Sequence, residues 1–161
     1  MTNDVLEALE RSLNNKLESL QQLVKLAEVH REALVSNNID ELVAVSQQQT
    51  SALSELNRLQ RSSSQMMIRI GCELGLSQED SNLSAIAGAL PEEYRVRLER
   101  LSEGLMSEAS RLAMASEINA SLSSNALEFI RFSLQAVSDA QANSPELSGN
   151  QPSSLQVNEK A

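Results

Sequence analysis

The chain has 161 residues, a formal net charge of −9 from 22 acidic and 13 basic side chains, and 2% aromatic residues. One Cys and one His make neither an intramolecular disulfide nor a structural zinc site, and an acidic, ring-poor chain lacks the clustered Lys/Arg and stacking platforms that nucleic acid requires. No apolar run approaches the ~18–20 residues of a membrane span, and Met1-Thr2-Asn3-Asp4 opens no basic-then-apolar signal segment, so a reducing, cytoplasmic location without membrane insertion is the expectation.

Residues 3–36 predict the first helix. Leu6, Leu13, Leu20, Ala27 and Leu34 recur every seven residues, with Leu9, Leu17, Leu23 and Val24 between them. Spacings of three and four place these on one face, and a repeat sustained this long favours a coiled-coil seam. Asn37-Asn38 ends the helix, because Asn tolerates left-handed and capping conformations.

A second stripe runs Leu42, Val45, Leu53, Leu56, Leu59, Met66, Met67, Ile70, Leu74. Asn38 is placed to cap its start, Asp40 and Glu41 suit its first turn, and Gly75 suits its stop. Gly71 lies inside and weakens the last turn by ~1 kcal/mol relative to Ala. The runs Gln47-Gln48-Gln49 and Ser62-Ser63-Ser64 interrupt the seam, as polar layers that fix register do.

Residues 76–90 form a connector in which Ser77 resembles a cap and Leu83, Ile86 and Leu90 pack a short helix. Pro91 fits the first position of a third long helix, followed by Glu92 and Glu93. Its stripe runs Tyr94, Leu98, Leu101, Leu105, Leu112, Ala115, Ile118, Leu122, Ala126, Phe129, Ala136, and the helix should end near residues 137–142. From Asn143 to Ala161 the chain is rich in Ser, Asn and Gln, contains Pro145 and Pro152, and lacks periodicity, which predicts a disordered tail. No segment alternates in the manner of a strand. The expected fold is all-α: an elongated antiparallel helical hairpin or coiled coil, a short connector helix and a long third helix, forming one domain over 1–142 with a tail over 143–161.

Lengths locate an imbalance. The first two helices span ~50 Å each and the third ~70 Å at 1.5 Å per residue, so about 12 residues at its C-terminal end should project beyond the hairpin. Yet residues 126–137 hold both Phe residues of the chain. Phe129 and Ala136 continue the inner stripe, Leu127, Ile130, Leu134 and Val137 form a second one, and Phe132 widens the surface. A helix apolar on two faces must bury both. Better coverage by the connector or hairpin, a homo-oligomer contact, or a groove for a partner helix would each do so.

Chemistry finds little support. His30 reads as a surface residue and Cys72 as a bystander, with no partner base or nucleophile marked for either. No Glu-x-x-His pair, Gly-rich phosphate loop or nucleophile elbow occurs. Arg95, Arg97 and Arg100 are interleaved with glutamates, and pairs such as Glu93–Arg97 account for them. Met66, Met67, Met106 and Met114 are expected in the core. No enzymatic activity, metal or cofactor is expected. Asn119 and Asn125 lie beside the third stripe, where a buried Asn fixes register or bonds a partner's backbone and an exposed one does neither.

The arrangement resembles the FlgN family, the export chaperones of the bacterial flagellum. The resemblance rests on Glu32-Ala33-Leu34 followed by Ile39-Asp40-Glu41-Leu42, on Leu53, Leu56 and Leu59, on Gly75-Leu76, and on Asn125 preceding Ala126, Leu127, Phe129, Ile130 and Leu134. It covers roughly residues 1–140. Gln49 or its neighbours stand where the family often has a Lys, and the tail has no aromatic. The resemblance implies a cytoplasmic chaperone for hook-filament junction proteins of the FlgK/FlgL type. It would hold their C-terminal helical segment, prevent premature assembly and deliver them to the gate and ATPase components of the flagellar type III export apparatus. The partner-binding residues would be Asn125, Leu127, Phe129, Ile130, Phe132, Leu134 and Val137. The alternative is a structural coiled-coil protein that homo-oligomerises, weakly or stably, through the same end of the third helix.

Overall fold

A computed structural model describes residues 3–143. The element order is α1 (Asn3–Ser36), α2 (Ile39–Glu73), α3 (Leu83–Ala89) and α4 (Glu92–Ala142), with no strand among the described residues. The fold is all-α, as the periodicity predicts. The expected tail lies outside the described residues apart from Asn143. The chain falls into two compact units, Met1–Ser124 and Asn125–Ala161.

In the first unit, three heptad seams meet. Buried and half-buried side chains occupy positions 6, 9, 13, 16, 20, 23, 27, 30 and 34 of α1, 45, 49, 52, 56, 59, 63, 66 and 70 of α2, and 94, 98, 101, 105, 108, 112, 115, 119 and 122 of α4. The alternating steps of three and four keep each row facing its neighbours. Lys16 hydrogen-bonds Gln60, and His30 Nδ1 lies 2.8 Å from Gln49 Oε1, so α2 runs antiparallel to α1. Glu10 pairs with Arg97 at 3.4 Å, Leu17 faces Gly104, and Asn119 Nδ2 donates to the Ala27 carbonyl at 2.8 Å; α4 therefore runs parallel to α1.

The turns follow from local chemistry. Asn37 sits at φ 54°, Asn38 N–H donates to Ala33 O at 2.9 Å and Asn37 N–H to Leu34 O at 3.3 Å. That is a Schellman closure with Asn in place of Gly. Asn38 then caps α2 by accepting from Glu41 N–H at 3.2 Å. At the other end of α2, Gly75 adopts φ +78° while Leu76 N–H donates to Gly71 O at 2.8 Å and Gly75 N–H to Cys72 O at 3.2 Å, the same closure again.

The core draws on all four helices where α1 begins, α2 ends and α4 begins. Leu6, Leu9 and Leu13 meet Ile70, Ile86, Ala87, Leu90 and Leu98 there. Towards the α1–α2 reversal the buried positions shrink to Ala27, Ala33, Val45 and Ala52.

Several expectations need correction. Leu53 is exposed, because the two seven-residue steps from Val45 to Leu59 pass through Ala52, which is buried instead. Ile118 is likewise exposed and Asn119 takes its seam position. Met106 and Met114 face outward rather than into the core, one residue off the seam at 105 and 115. Ser77 does not cap the connector helix: its hydroxyl accepts from Asp80 N–H at 3.1 Å and donates to the Asp80 carboxylate at 2.6 Å, closing a separate turn, and Asn82 caps α3 by accepting from Ala85 N–H at 2.9 Å. Pro91 precedes α4, lending its carbonyl to Tyr94 and Arg95 N–H at 3.0 Å. His30 is half-buried at the seam rather than a surface residue. Gly71 is not merely a weak point, since a Cβ there would meet Ser81 Oγ at 2.0 Å; the missing side chain lets the connector close on α2.

Candidate functional site

The second unit begins at Asn125 and carries the last part of α4. Its sequence through Ala142 contains neither Gly nor Pro to interrupt the helix. At 100° per residue, Leu127, Ile130, Leu134 and Val137 fall on one stripe, and Asn125, Phe129, Phe132 and Ala136 on another. Ala126 and Ser133 lie between them. The apolar arc covers roughly 220° of the circumference, and Glu128, Arg131, Gln135 and Asp139 fill the remainder. Gln135 Nε2 donates to Asp139 Oδ1 at 2.9 Å along this polar ridge.

All seven residues singled out from the sequence are exposed, and one helical segment carries them together. Phe132 is 74% accessible, Phe129 71% and Leu134 65%, and even the least exposed of the large apolar residues, Ile130, is 52% accessible. Burying a side chain of this kind yields roughly 1.5–3 kcal/mol. Six of them yield about 9–18 kcal/mol before association and ordering costs of about 4–15 kcal/mol are subtracted. The surplus reaches micromolar affinity, about −8 kcal/mol, in the well-paired part of that range. On a chain of net charge −9 this is a contiguous exposed apolar surface rather than a scatter of single apolar residues.

The residues weighed for chemistry are not assembled into a centre. His30 is engaged by Gln49, Cys72 is exposed, and no cluster of His, Cys, Asp and Glu among the described residues is arranged to hold a metal ion. Glu93–Arg97 is present at 3.9 Å, with the Arg97 guanidinium also 4.8 Å from the Tyr94 ring centroid. No helix among the described residues is long and apolar enough to cross a membrane.

A second exposed apolar region was missed in sequence. Val35, Ile39 and Val43 flank the Asn37-Asn38 reversal, accessible at 69%, 66% and 54%. Their signal was available: three β-branched residues at steps of four, lying off the seam. Ile39 and Val43, but not Val35, line an open cleft of about 520 Å³ together with His30, Leu34, Leu42 and Ser123, among others.

With this all-helical frame in place, comparison with known families is decisive. The model of the FlgN protein family matches residues 1–147. The chain belongs to the FlgN family. FlgN proteins form a family of flagellar export chaperones that bind hook-associated proteins, and membership implies a flagellar export chaperone role for this chain. The match spans both the seam-packed helices and the exposed segment of α4. No curated protein and no solved structure matches the chain significantly.

Proposed function

We propose that this FlgN-family chain holds the C-terminal helical segment of hook-filament junction proteins of the FlgK/FlgL type on the α4 surface from Asn125 to Val137. It thereby keeps them from assembling until they reach the gate and ATPase components of the flagellar export apparatus. The observation that supports this is the breadth of the exposed apolar arc on one uninterrupted helix. An amphipathic client helix laid along it would cover Leu127, Ile130, Leu134 and Val137 with one ridge and reach Phe129 or Phe132 with its flank, the helix-in-groove mode. A client segment that otherwise polymerises through its own apolar face would be covered by the same contact. Residues 143–161 would add to the grip by ordering on the client.

The test is calorimetric titration of the chain with the C-terminal segment of a candidate hook-filament junction protein, comparing wild type with Phe129→Ser/Ile130→Ser/Leu134→Ser. The triple variant should lose binding by at least about 100-fold, or about 2.8 kcal/mol, while its far-UV circular dichroism stays nearly unchanged. Retained binding would remove this surface from the reading, and loss of all helicity would make these residues core. Light scattering of the isolated chain at micromolar concentration completes the test, since a stable oligomer that the triple variant dissolves would assign the surface to self-association.

A further inference from the structure

One face of α2 carries the opposite sign to the chain as a whole. Of the 22 acidic and 13 basic side chains, only Glu55, Arg58, Arg61 and Arg69 fall between Leu42 and Cys72, a cationic stretch in a chain of net charge −9. At 100° per residue the three arginines share an arc of about 80°, turned away from the seam residues Leu56, Leu59 and Ser63. All three are exposed, as is Gln65 between them. Arg58 and Arg61 line an open cleft of about 530 Å³ with Ser54, Glu55, Ser62 and Gln65, among others. Every lining residue belongs to α2, and Glu55 is the one acid among them. Glu55 accepts from Arg58 at 2.6 and 2.8 Å, whereas Arg61 and Arg69 form no ion pair among the described residues. At this level α1 adds a further cation, Lys16, bonded to Gln60, and Glu18 lies ~200° round α1 from it. Arg58 and Arg61 are a like-charged i, i+3 pair, which an isolated helix disfavours. Their pairing on one face therefore needs another account.

We infer that this face of α2 docks a short acidic helix of a protein partner, whose carboxylates meet Arg58, Arg61 and Arg69. The extent and setting of the arginines select that occupant. From Arg58 to Arg69 the helix rises ~16 Å, three turns of a partner helix. Acids stand at both ends of α2, Asp40 and Glu41 at its start and Glu73 at its finish. A nucleic acid or an anionic membrane would run past those ends and meet the field of the whole chain, whereas a three-turn segment stays over the arginines. Each guanidinium fork can take a carboxylate bidentately, and Ser54, Ser62 and Gln65 supply further donors. Exposed ion pairs are individually weak, so the docking is transient, quick to form and salt-sensitive. The inference stands apart from the client reading and shares no residue with the α4 surface.

The test uses the full chain labelled at its arginine Nε–H groups, titrated at low salt with a Glu/Ala helical peptide of about five turns and, separately, with its Lys/Ala counterpart. The Glu/Ala peptide should shift the Nε resonances of Arg58, Arg61 and Arg69 saturably, and the Lys/Ala peptide should not. Arg61→Gln/Arg69→Gln, exposed changes that leave the seam intact, should weaken binding about fivefold. Glu55→Gln releases Arg58 from its internal partner and should tighten binding about twofold. Phe129→Ser/Ile130→Ser should leave it unchanged. Raising the salt from about 20 to about 200 mM should weaken it severalfold. Unmoved arginine resonances, an equal response to the Lys/Ala peptide, or shifts confined to Arg95, Arg97, Arg100 and Arg111 would each overturn the inference. So would insensitivity to the Arg61/Arg69 change or weaker binding by Glu55→Gln. Tighter binding of oligothymidylate or of phosphatidylglycerol vesicles at the same arginines would overturn it in favour of a polyanion. Oligomers in light scattering that Arg61→Gln/Arg69→Gln dissolves would overturn it in favour of a second copy of the chain.

Discussion

The contact between Gly71 and Ser81 makes a sign-definite prediction. Exchanging Gly for Ala inside a helix ordinarily stabilises by about 1 kcal/mol. Here an Ala Cβ would lie 2.0 Å from Ser81 Oγ, 2.6 Å from Ser81 Cβ and 3.3 Å from Ser81 Cα. Rotating the hydroxyl away does not relieve the second clash, and it breaks the 2.7 Å bond that Ser81 Oγ donates to the Ser77 carbonyl. Overpacking costs about 1–3 kcal/mol and the lost hydrogen bond about 1 kcal/mol. After the propensity gain, Gly71→Ala should destabilise by about 1–3 kcal/mol. Urea denaturation followed by circular dichroism measures this directly. In a Ser81→Gly background, which removes both clashing side-chain atoms, the same substitution should turn favourable by up to about 1 kcal/mol. A Gly71→Ala chain at least as stable as wild type, or an equal penalty in both backgrounds, would refute the close approach.

Three further outcomes are expected. Desolvation holds the Lys16 ammonium below its usual 10.5. The unfolded chain therefore binds more protons between the folded value and 10.5, and stability should rise with pH across that window. Lys16→Met should abolish this rise and stabilise the neutral protein by about 0.5–1 kcal/mol, read from unfolding free energies at neutral and alkaline pH. Asn119→Asp exchanges the donor to the Ala27 carbonyl for a buried carboxylate and should cost about 2–4 kcal/mol at neutral pH. Because burial raises that carboxyl's pKa, the deficit should shrink as the solution is acidified, and an equal deficit at pH near 5 and at neutrality would contradict the burial. Removing residues 143–161 should leave helicity and Tm in place while weakening client binding severalfold, and unchanged affinity in the titration would take that segment out of the mechanism.

Heptad spacing was enough to read the helices and their ends, because apolar period, Asn and Gly closures and acidic first turns all point the same way at residues 36–39 and 73–76. What it could not decide was which of two adjacent residues enters the seam. At 52–53 and 118–119 a large apolar side chain neighbours a smaller or polar one, and hydrophobicity favours the wrong member. The helix phase, set by turns further along each helix, decides for Ala52 and Asn119. Likewise Gly71 looked like a flaw because its reason, Ser81, is ten residues away across a turn. Of the α4 surface, the composition of residues 126–137 was legible, since two Phe residues and a doubled stripe stand out in a chain with 2% aromatics. The patch at the reversal escaped notice because Val35, Ile39 and Val43 blend into the general apolar content until burial distinguishes them from the seam.

Two residues join α1 to α2, so their interface closes across a short loop, whereas α1 meets α4 between residues as far as 92 positions apart, as in the Asn119–Ala27 bond. The hairpin's local contacts therefore form early and the α1–α4 contacts late, because closing a long loop costs more entropy. On the ribosome, the order of synthesis adds to this delay. At roughly 5–20 residues per second, the 51 residues of α4 take about 3–10 s to appear. During that interval the α1–α2 pair stands complete as a hairpin, while Leu9 and Leu13 still wait for Leu98 and its neighbours. For those seconds the nascent chain exposes more apolar surface than the finished one.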